Sequence, residues 1–338
     1  MTRFLSALAL LFSLFLSGPA QAQSWESIPE GQDTSLQLEA PPQPPGHYVS
    51  LPGTYATFHG RHADRAVLER LAEHAALSIP RIAEQLGIGA GRHMEITVAD
   101  DERVFHTLQP GTPPSWADGT AYPQRALVYL KSPSIRPGTA KPLEQVLDHE
   151  ITHVLLGQAF GPEPVPRWLQ EGLAQWVAGE IGPDLPERIA RHTWGGSLLS
   201  LDDLTHGFPA DPLRADLAYA QSADLISFLA AEHGPESIPV LVQAIAAGQP
   251  VPAAFRHATG RSADELDKAW RARLNSGNIQ LASLGNDMFW WGLGAPLVLF
   301  AFWGVRRRNR KVLERWEREE EAEERLMAEL MKRVQAQG

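Results

Sequence analysis

Apolar and polar positions follow several different periods along the chain. After Arg3, Phe4 to Leu16 is an almost unbroken apolar run, closed by Gly18 and Pro19. Such a run is too short to span a bilayer comfortably. Ala20-Gln21-Ala22 fits the small-x-small cleavage rule, so residues 1–22 are expected to be a secretory signal peptide. Residues 23–46 are polar and then proline-rich (APPQPPG at 40–46), which reads as an extended linker. Tyr55 to His59 alternates as a strand does. From Ala63 to Leu86, apolar residues at 67, 68, 71, 75, 79, 82 and 86 keep helical spacing, and Pro80 is expected to kink or split that helix. Met94 to Val98 reads as a strand, with Asp100 or Asp101 able to cap a short helix to Leu108. A Pro- and Gly-rich loop fills 110–119. Gly119 to Tyr122 and Ala126 to Lys131 then read as short strands.

Beyond Pro142 the pattern is mostly helical. Helices are expected at about 142–156 with Gly157 as C-cap, 167–178 closed by Gly179, and 215–233 ending at Gly234. Two more are expected near 236–247 and 251–258. A last one opens on a capping box of Ser262 and Glu265. A small N-terminal sheet followed by helices predicts an α+β body over residues 47–275 with a helical C-terminal lobe.

A second long apolar segment, Met288 to Val305, carries no charge and is just long enough to span a bilayer. Trp290 and Trp291 lie at one end and Trp303 at the other, as interfacial belts require. Pro296 is tolerated in a membrane helix more readily than in a soluble one. Arg306, Arg307, Arg308, Arg310 and Lys311 follow at once, whereas Arg273 is the one basic residue in the fifteen positions before the span. The positive-inside rule therefore predicts a cytoplasmic C-terminus. Residues 276–287 read as a tether, 288–305 as a transmembrane helix, and 306–338 as a charged cytoplasmic helix with at most a weak tendency to self-associate. Together with the cleaved signal, this predicts a single-pass protein of the cell (inner) membrane with its folded body outside the cytoplasm.

Charge changes this picture in one respect. Thirty basic residues against forty acidic ones leave a formal charge of -10, and the basic groups concentrate at the tail, so the body is more acidic than the average. Nucleic acid is accordingly excluded as an expected partner. The absence of cysteine excludes disulfides, a thiol nucleophile and any thiolate metal site. A metal would have to be held by His, Asp and Glu.

The expected helix at 142–156 contains HEITH, His149 to His153. Residues four apart share one helical face, so both imidazoles can reach one zinc ion, while Glu150 can reach a water bound to it. Leu143, Val146, Leu147, Val154 and Leu155 give the helix an apolar face. Two histidines and a glutamate on a buried helix need partners, and a metal supplies them.

A catalytic zinc needs a third protein ligand and one open position. Eighteen residues after His153 comes Glu171, inside RWLQEGLAQWVAG (167–179). HExxH followed by a W-L-x-E-G-x-A helix resembles the gluzincin branch of the zinc metallopeptidases, the thermolysin-like or MA-like group, in a membrane-anchored bacterial form. The resemblance implies a zincin-like catalytic domain, one Zn2+ held by His149, His153 and Glu171, and Glu150 as general base. It also implies that an extended peptide binds as an added strand on the edge at Gly119, Thr120, Ala121 and Tyr122, and that Tyr219 stabilises the oxyanion, with His192 and His206 as further candidates. Thermolysin-like enzymes place an aspartate four residues after the glutamate ligand to orient a ligand histidine; here that position is Gln175. The expected function is zinc-dependent hydrolysis of peptide bonds in extracytoplasmic polypeptides. The alternative is a non-catalytic, zinc-stabilised binding or sensor module anchored in the membrane.

Overall fold

The computed structural model describes residues 44–109, 116–136, 141–162, 164–182, 198–209 and 211–275, with positions 113, 185, 189, 300–303, 305, 306 and 325 besides. The expected signal peptide, tether and cytoplasmic helix fall essentially outside these residues, as do most of the linker and of the expected span. Among the described residues no helix is long and apolar enough to cross a membrane. Contacts group the chain into two units, Met1–Ala272 and Arg273–Gly338. The sheet and the candidate site both lie in the first unit.

The family of short apolar runs forms one five-stranded sheet in the order β1-β2-β3-β5-β4. Its strands are β1 (Tyr48–Pro52), β2 (Ala56–Arg61), β3 (Met94–Ala99), β4 (Gly119–Tyr122) and β5 (Leu127–Lys131). β1 was not anticipated from the sequence. It is a short edge strand ending in proline, held antiparallel to β2 with Leu51 opposite Phe58. β2 and β3 are parallel, as are β3 and β5, because a helix or loop returns the chain between them. β4 runs antiparallel to β5, with Ala121 opposite Val128, and forms the other edge. Ala126 is not part of β5, as the sequence had implied. Its φ of 54° closes the turn instead, and its carbonyl accepts the Glu95 amide.

Helix α1 (Arg65–Leu86) returns the chain from β2 to β3. Pro80 does not split it. A proline inside a helix costs about 3 kcal/mol. Leu68, Leu71, Ala75 and Ile79 before it and Ile82 and Leu86 after it are all buried on one stripe, and each fully buried Leu or Ile contributes about 1.5–3 kcal/mol. The packed stripe outweighs the break. Asp101 caps the short α2 (Glu102–Thr107) by accepting the amides of Arg103 and Val104. α2 lays Phe105 over Leu127 and Tyr129, which covers one face of β5.

The other face of the sheet receives α3 (Leu143–Phe160). This helix is longer than the sequence implied and ends at Gly161, not Gly157. Gly157 has a different role: a Cβ there would lie 2.4 Å from Cβ of Pro123, so its bareness lets the β4–β5 turn rest on the helix. The helical lobe comprises α4 (Arg167–Val177), α5 (Leu201–His206), α6 (Pro212–His233), α7 (Ser237–Ala246), α8 (Val251–Thr259) and α9 (Ala263–Asn275). α6 runs beside α4 at short range because Gly172 carries no side chain. A Cβ there would stand 2.5 Å from the Ser222 carbonyl oxygen and 2.6 Å from Ile226. Deeper in the lobe, Trp270 donates to Asp224 at 2.7 Å, satisfying both buried groups. The α+β class is thus as expected, though the sheet is mixed and its strands are threaded by a helix.

Candidate metal centre

α3 is buried on nearly every side and carries charged residues at its middle, so each must be matched. Asp148 points away from the zinc-type face. It accepts from Arg81 at 2.7 Å and lies 2.9 Å from His74, both on α1. These contacts fix the rotation of α3 about its axis. His149 and His153 are thereby turned together toward the helical lobe, with their Nε2 atoms 3.1 Å apart.

α4 brings Glu171 against that pair. Its Oε2 lies 3.5 Å from His149 Nε2 and 3.3 Å from His153 Nε2. Ligand bonds of about 2.0–2.1 Å at tetrahedral angles set ligand atoms about 3.3 Å apart. The observed triangle of two imidazole nitrogens and one carboxylate oxygen therefore fits a zinc ion, and the donor set leaves one position for water or substrate. The charge agrees. Burial disfavours a charged ring at His149, yet Glu171 and Glu180 in contact with it and Glu150 beside it prevail and push its pKa up to about 10. A divalent cation would meet the same concentration of carboxylates. Burial likewise works against the Glu171 anion, but the two imidazoles hold its carboxyl well below the ordinary range.

Behind His149 stands Glu180, a residue the sequence did not single out. Its Oε1 is 3.1 Å from His149 Nδ1, within ion-pair reach though off-line for a good hydrogen bond, and its Oε2 takes Lys141 Nζ at 2.9 Å. Gly179 delivers it there: with φ at +67° it reverses the chain after α4, and the Glu180 amide returns to the Gln175 carbonyl. Gln145 on α3 clasps the same turn through the carbonyls of Ala178 and Gly179. Gln175 does not take the orienting aspartate's place. Its amide donates to the carbonyl of Tyr219 at 3.0 Å and to that of Glu171 at 3.3 Å, so it couples α4 to α6 instead.

Glu150, on the adjacent face, is buried and turned toward β4. A Cβ on Gly119 would come within 2.9 Å of its Oε1 and 2.8 Å of its Cγ. The edge strand thus passes directly over this carboxylate. Burial pushes the Glu150 carboxyl above its ordinary range, and the two imidazoles only partly oppose this. On β4, Thr120 and Tyr122 both donate to Oε1 of Gln109, at 2.6 and 3.2 Å, which steadies the strand. Among the described residues no other strand pairs with the outer edge of β4.

Tyr219 of α6 reaches the same centre. Burial, reinforced by Glu171 and Glu150, pushes its phenol above the ordinary range, so at neutral pH it keeps its proton and can donate. Phe208 and Trp116 meet its ring edge-on at 5.0 and 5.9 Å. Arg167 lies 3.4 Å from Glu171, and its charge works against the rise of the Tyr219 phenol. Its position four residues before Glu171 on one helix is a signal that the sequence carries, though it was not among the expected site residues. His149, His153, Glu171, Glu150, Gly119 and Tyr219 are therefore brought together, while Thr120 and Tyr122 turn to Gln109; His192 lies outside the described residues, and so does the side chain of His206.

The arrangement of HExxH helix, following glutamate helix and overlying edge strand has a counterpart in known families. The family model described as Peptidase MA superfamily matches residues 75–276, three-fifths of the chain. The chain belongs to the Peptidase MA superfamily. No curated protein matches it. The matched span begins in α1 and ends at the close of α9, so this Peptidase MA member contains the whole centre within it. Superfamily membership gives the chain a peptidase-like role and the zincin-like fold, and metal dependence is general among such peptidases.

Proposed function

We propose that the protein is a gluzincin-type zinc peptidase that hydrolyses peptide bonds of extracytoplasmic polypeptides. The observation that carries this reading is the 3.1–3.5 Å triangle of His149, His153 and Glu171, with Glu150 intact beside it. A non-catalytic zinc module would have no use for a buried carboxylate directed at a strand edge, so the enzyme is the favoured reading.

Zinc bound by His149, His153 and Glu171 would supply a Lewis acid and lower the pKa of a bound water. The chain's own residues account for the rest. Glu150 accepts the proton of the attacking water and returns it to the leaving amine. The outer edge of β4, Gly119 to Tyr122, hydrogen-bonds an extended peptide and lays its scissile bond across Glu150. Tyr219 donates its phenolic proton into a hydrogen bond with the developing oxyanion; one such donor is worth about 3–4 kcal/mol. Glu180 orients His149 through Nδ1.

The membrane anchor at 288–305 and the signal at 1–22 belong to the same proposal. They rest on the charge-free run, its tryptophan flanks and the following arginines. Phe300, Phe302, Trp303 and Val305 are all exposed, as a lipid-facing turn requires. Metal analysis of the purified full chain, paired with cleavage of a peptide library, tests the reading. One zinc per chain, with cleavage lost to a chelator and restored by zinc, is expected. A chain that cleaves equally well after complete metal removal would overturn it.

A further inference from the structure

Arg167 is not needed to hold a metal, and superfamily membership assigns it no part, yet it stands beside both halves of the centre. It sits at the first turn of α4, and its Nε is 3.4 Å from Oε1 of Glu171, the oxygen that does not face the imidazoles. The Tyr219 phenol on α6 couples to the guanidinium charge, each shifting the other's pKa. The face of Phe208 lies 5.1 Å from the guanidinium carbon, and the same ring meets Tyr219 edge-on. One cation is thus set against a carboxylate and an aromatic face, with the phenol as its electrostatic neighbour.

The donor inventory decides what this contact does. A guanidinium has five N–H donors and no acceptor. Toward Tyr219 it can only donate, so the phenol oxygen accepts and the phenolic proton stays free for another partner. A hydroxyl that accepts from a cation also becomes a stronger donor. On the other side, tying Oε1 of Glu171 leaves Oε2 as the oxygen presented to the two imidazoles. The planar fork can serve both groups without moving, which a lysine ammonium cannot match.

We infer that Arg167 is a positioning residue that holds Glu171 in a one-oxygen presentation to the metal and aims the Tyr219 hydroxyl at the substrate oxyanion. This rests on the peptidase reading above. It acts through two other side chains and need not touch the substrate.

The test compares Arg167→Met, Tyr219→Phe and the double variant in the full-length zinc-loaded protein, reading kcat and KM on one library-derived peptide and zinc affinity by chelator competition. Tyr219→Phe is expected to lower kcat about 100-fold, the cost of one oxyanion donor. Arg167→Met should lower kcat at least about 10-fold with KM little changed, and weaken zinc binding about 10-fold, the scale of lost outer-shell support. Added to Tyr219→Phe, it should lower kcat no more than about 3-fold further, because the group it aims is already gone. Arg167→Lys should recover part of the zinc affinity. If Arg167→Met fails to fold, Arg167→Lys carries the same cycle with smaller effects and the same non-additivity. Fully multiplicative losses with unchanged zinc affinity would overturn the positioning role. Glu150→Gln separates the two levels: full activity there overturns the peptidase reading itself, whereas loss there beside an unaffected Arg167→Met overturns this inference alone.

Discussion

The Nδ1 atom of His149 lies 3.1 Å from Oε1 of Glu180, and Lys141 holds the other oxygen of that carboxylate at 2.9 Å. That carboxylate stands behind the imidazole whose Nε2 meets Glu171. Replacing Glu180 by Ala should leave the fold intact and weaken zinc binding about 10–100-fold. Chelator competition measures this directly. Lys141→Ala should shift it in the same direction by less.

The contact between Gly119 and Glu150 makes a second prediction. In Gly119→Ala the added methyl would press on Cγ and Oε1 of Glu150, side-chain atoms that can shift where a backbone atom cannot. The cost falls on geometry and not on folding. Peptide cleavage should fall about 100-fold, the scale of a displacement near 1 Å, while zinc content and thermal midpoint stay near wild type.

Gly172 makes the opposite case. There the neighbour is the backbone carbonyl of Ser222, which cannot step aside. Gly172→Ala should therefore force α4 and α6 apart and destabilise the protein by about 1–3 kcal/mol. Denaturant unfolding monitored by circular dichroism is the measure. Because α6 carries Tyr219, activity should fall as well.

Stability should narrow at both ends of the pH scale. Burial alone would raise the Asp100 carboxyl, but hydrogen bonds from Tyr48 and Arg61 win and lower its pKa. A lowered native pKa gives stability that is present above the ordinary value near 3.8 and is lost as pH falls through the native one. His74 has the reverse sign: its bond to Asp148, against burial, raises its pKa above 6.5. Its contribution is present below 6.5 and is lost as pH rises through the raised value. The thermal midpoint should be highest between these limits. Asp100→Asn should flatten the acid limb and His74→Gln the alkaline limb of a midpoint-against-pH curve.

Much of the centre is legible in the sequence alone. His149, Glu150, His153 and Glu171 follow from a helical period and a spacing, and helices report their own faces. Pro80 misled because local propensity implies a break, while the buried stripe on both sides of it is a tertiary fact. Gly157 was read as a cap because glycine usually ends helices; its actual neighbour, Pro123, is 34 residues away in sequence. Glu180 was illegible for a related reason. Gly179 announces that α4 ends, but nothing local says that the next side chain lands behind His149. Gln175 occupied the place where an orienting group was sought, and its amide went to a backbone carbonyl on α6.

The most direct test of the account is Glu150→Gln in the full-length protein, with zinc content and peptide cleavage measured on the same preparation. The substitution keeps the shape of the side chain and removes its ability to take a proton. Zinc should remain at one per chain while cleavage falls by several orders of magnitude. A Glu150→Gln protein that retains its zinc and cleaves at the wild-type rate would contradict the assignment of Glu150 as the base.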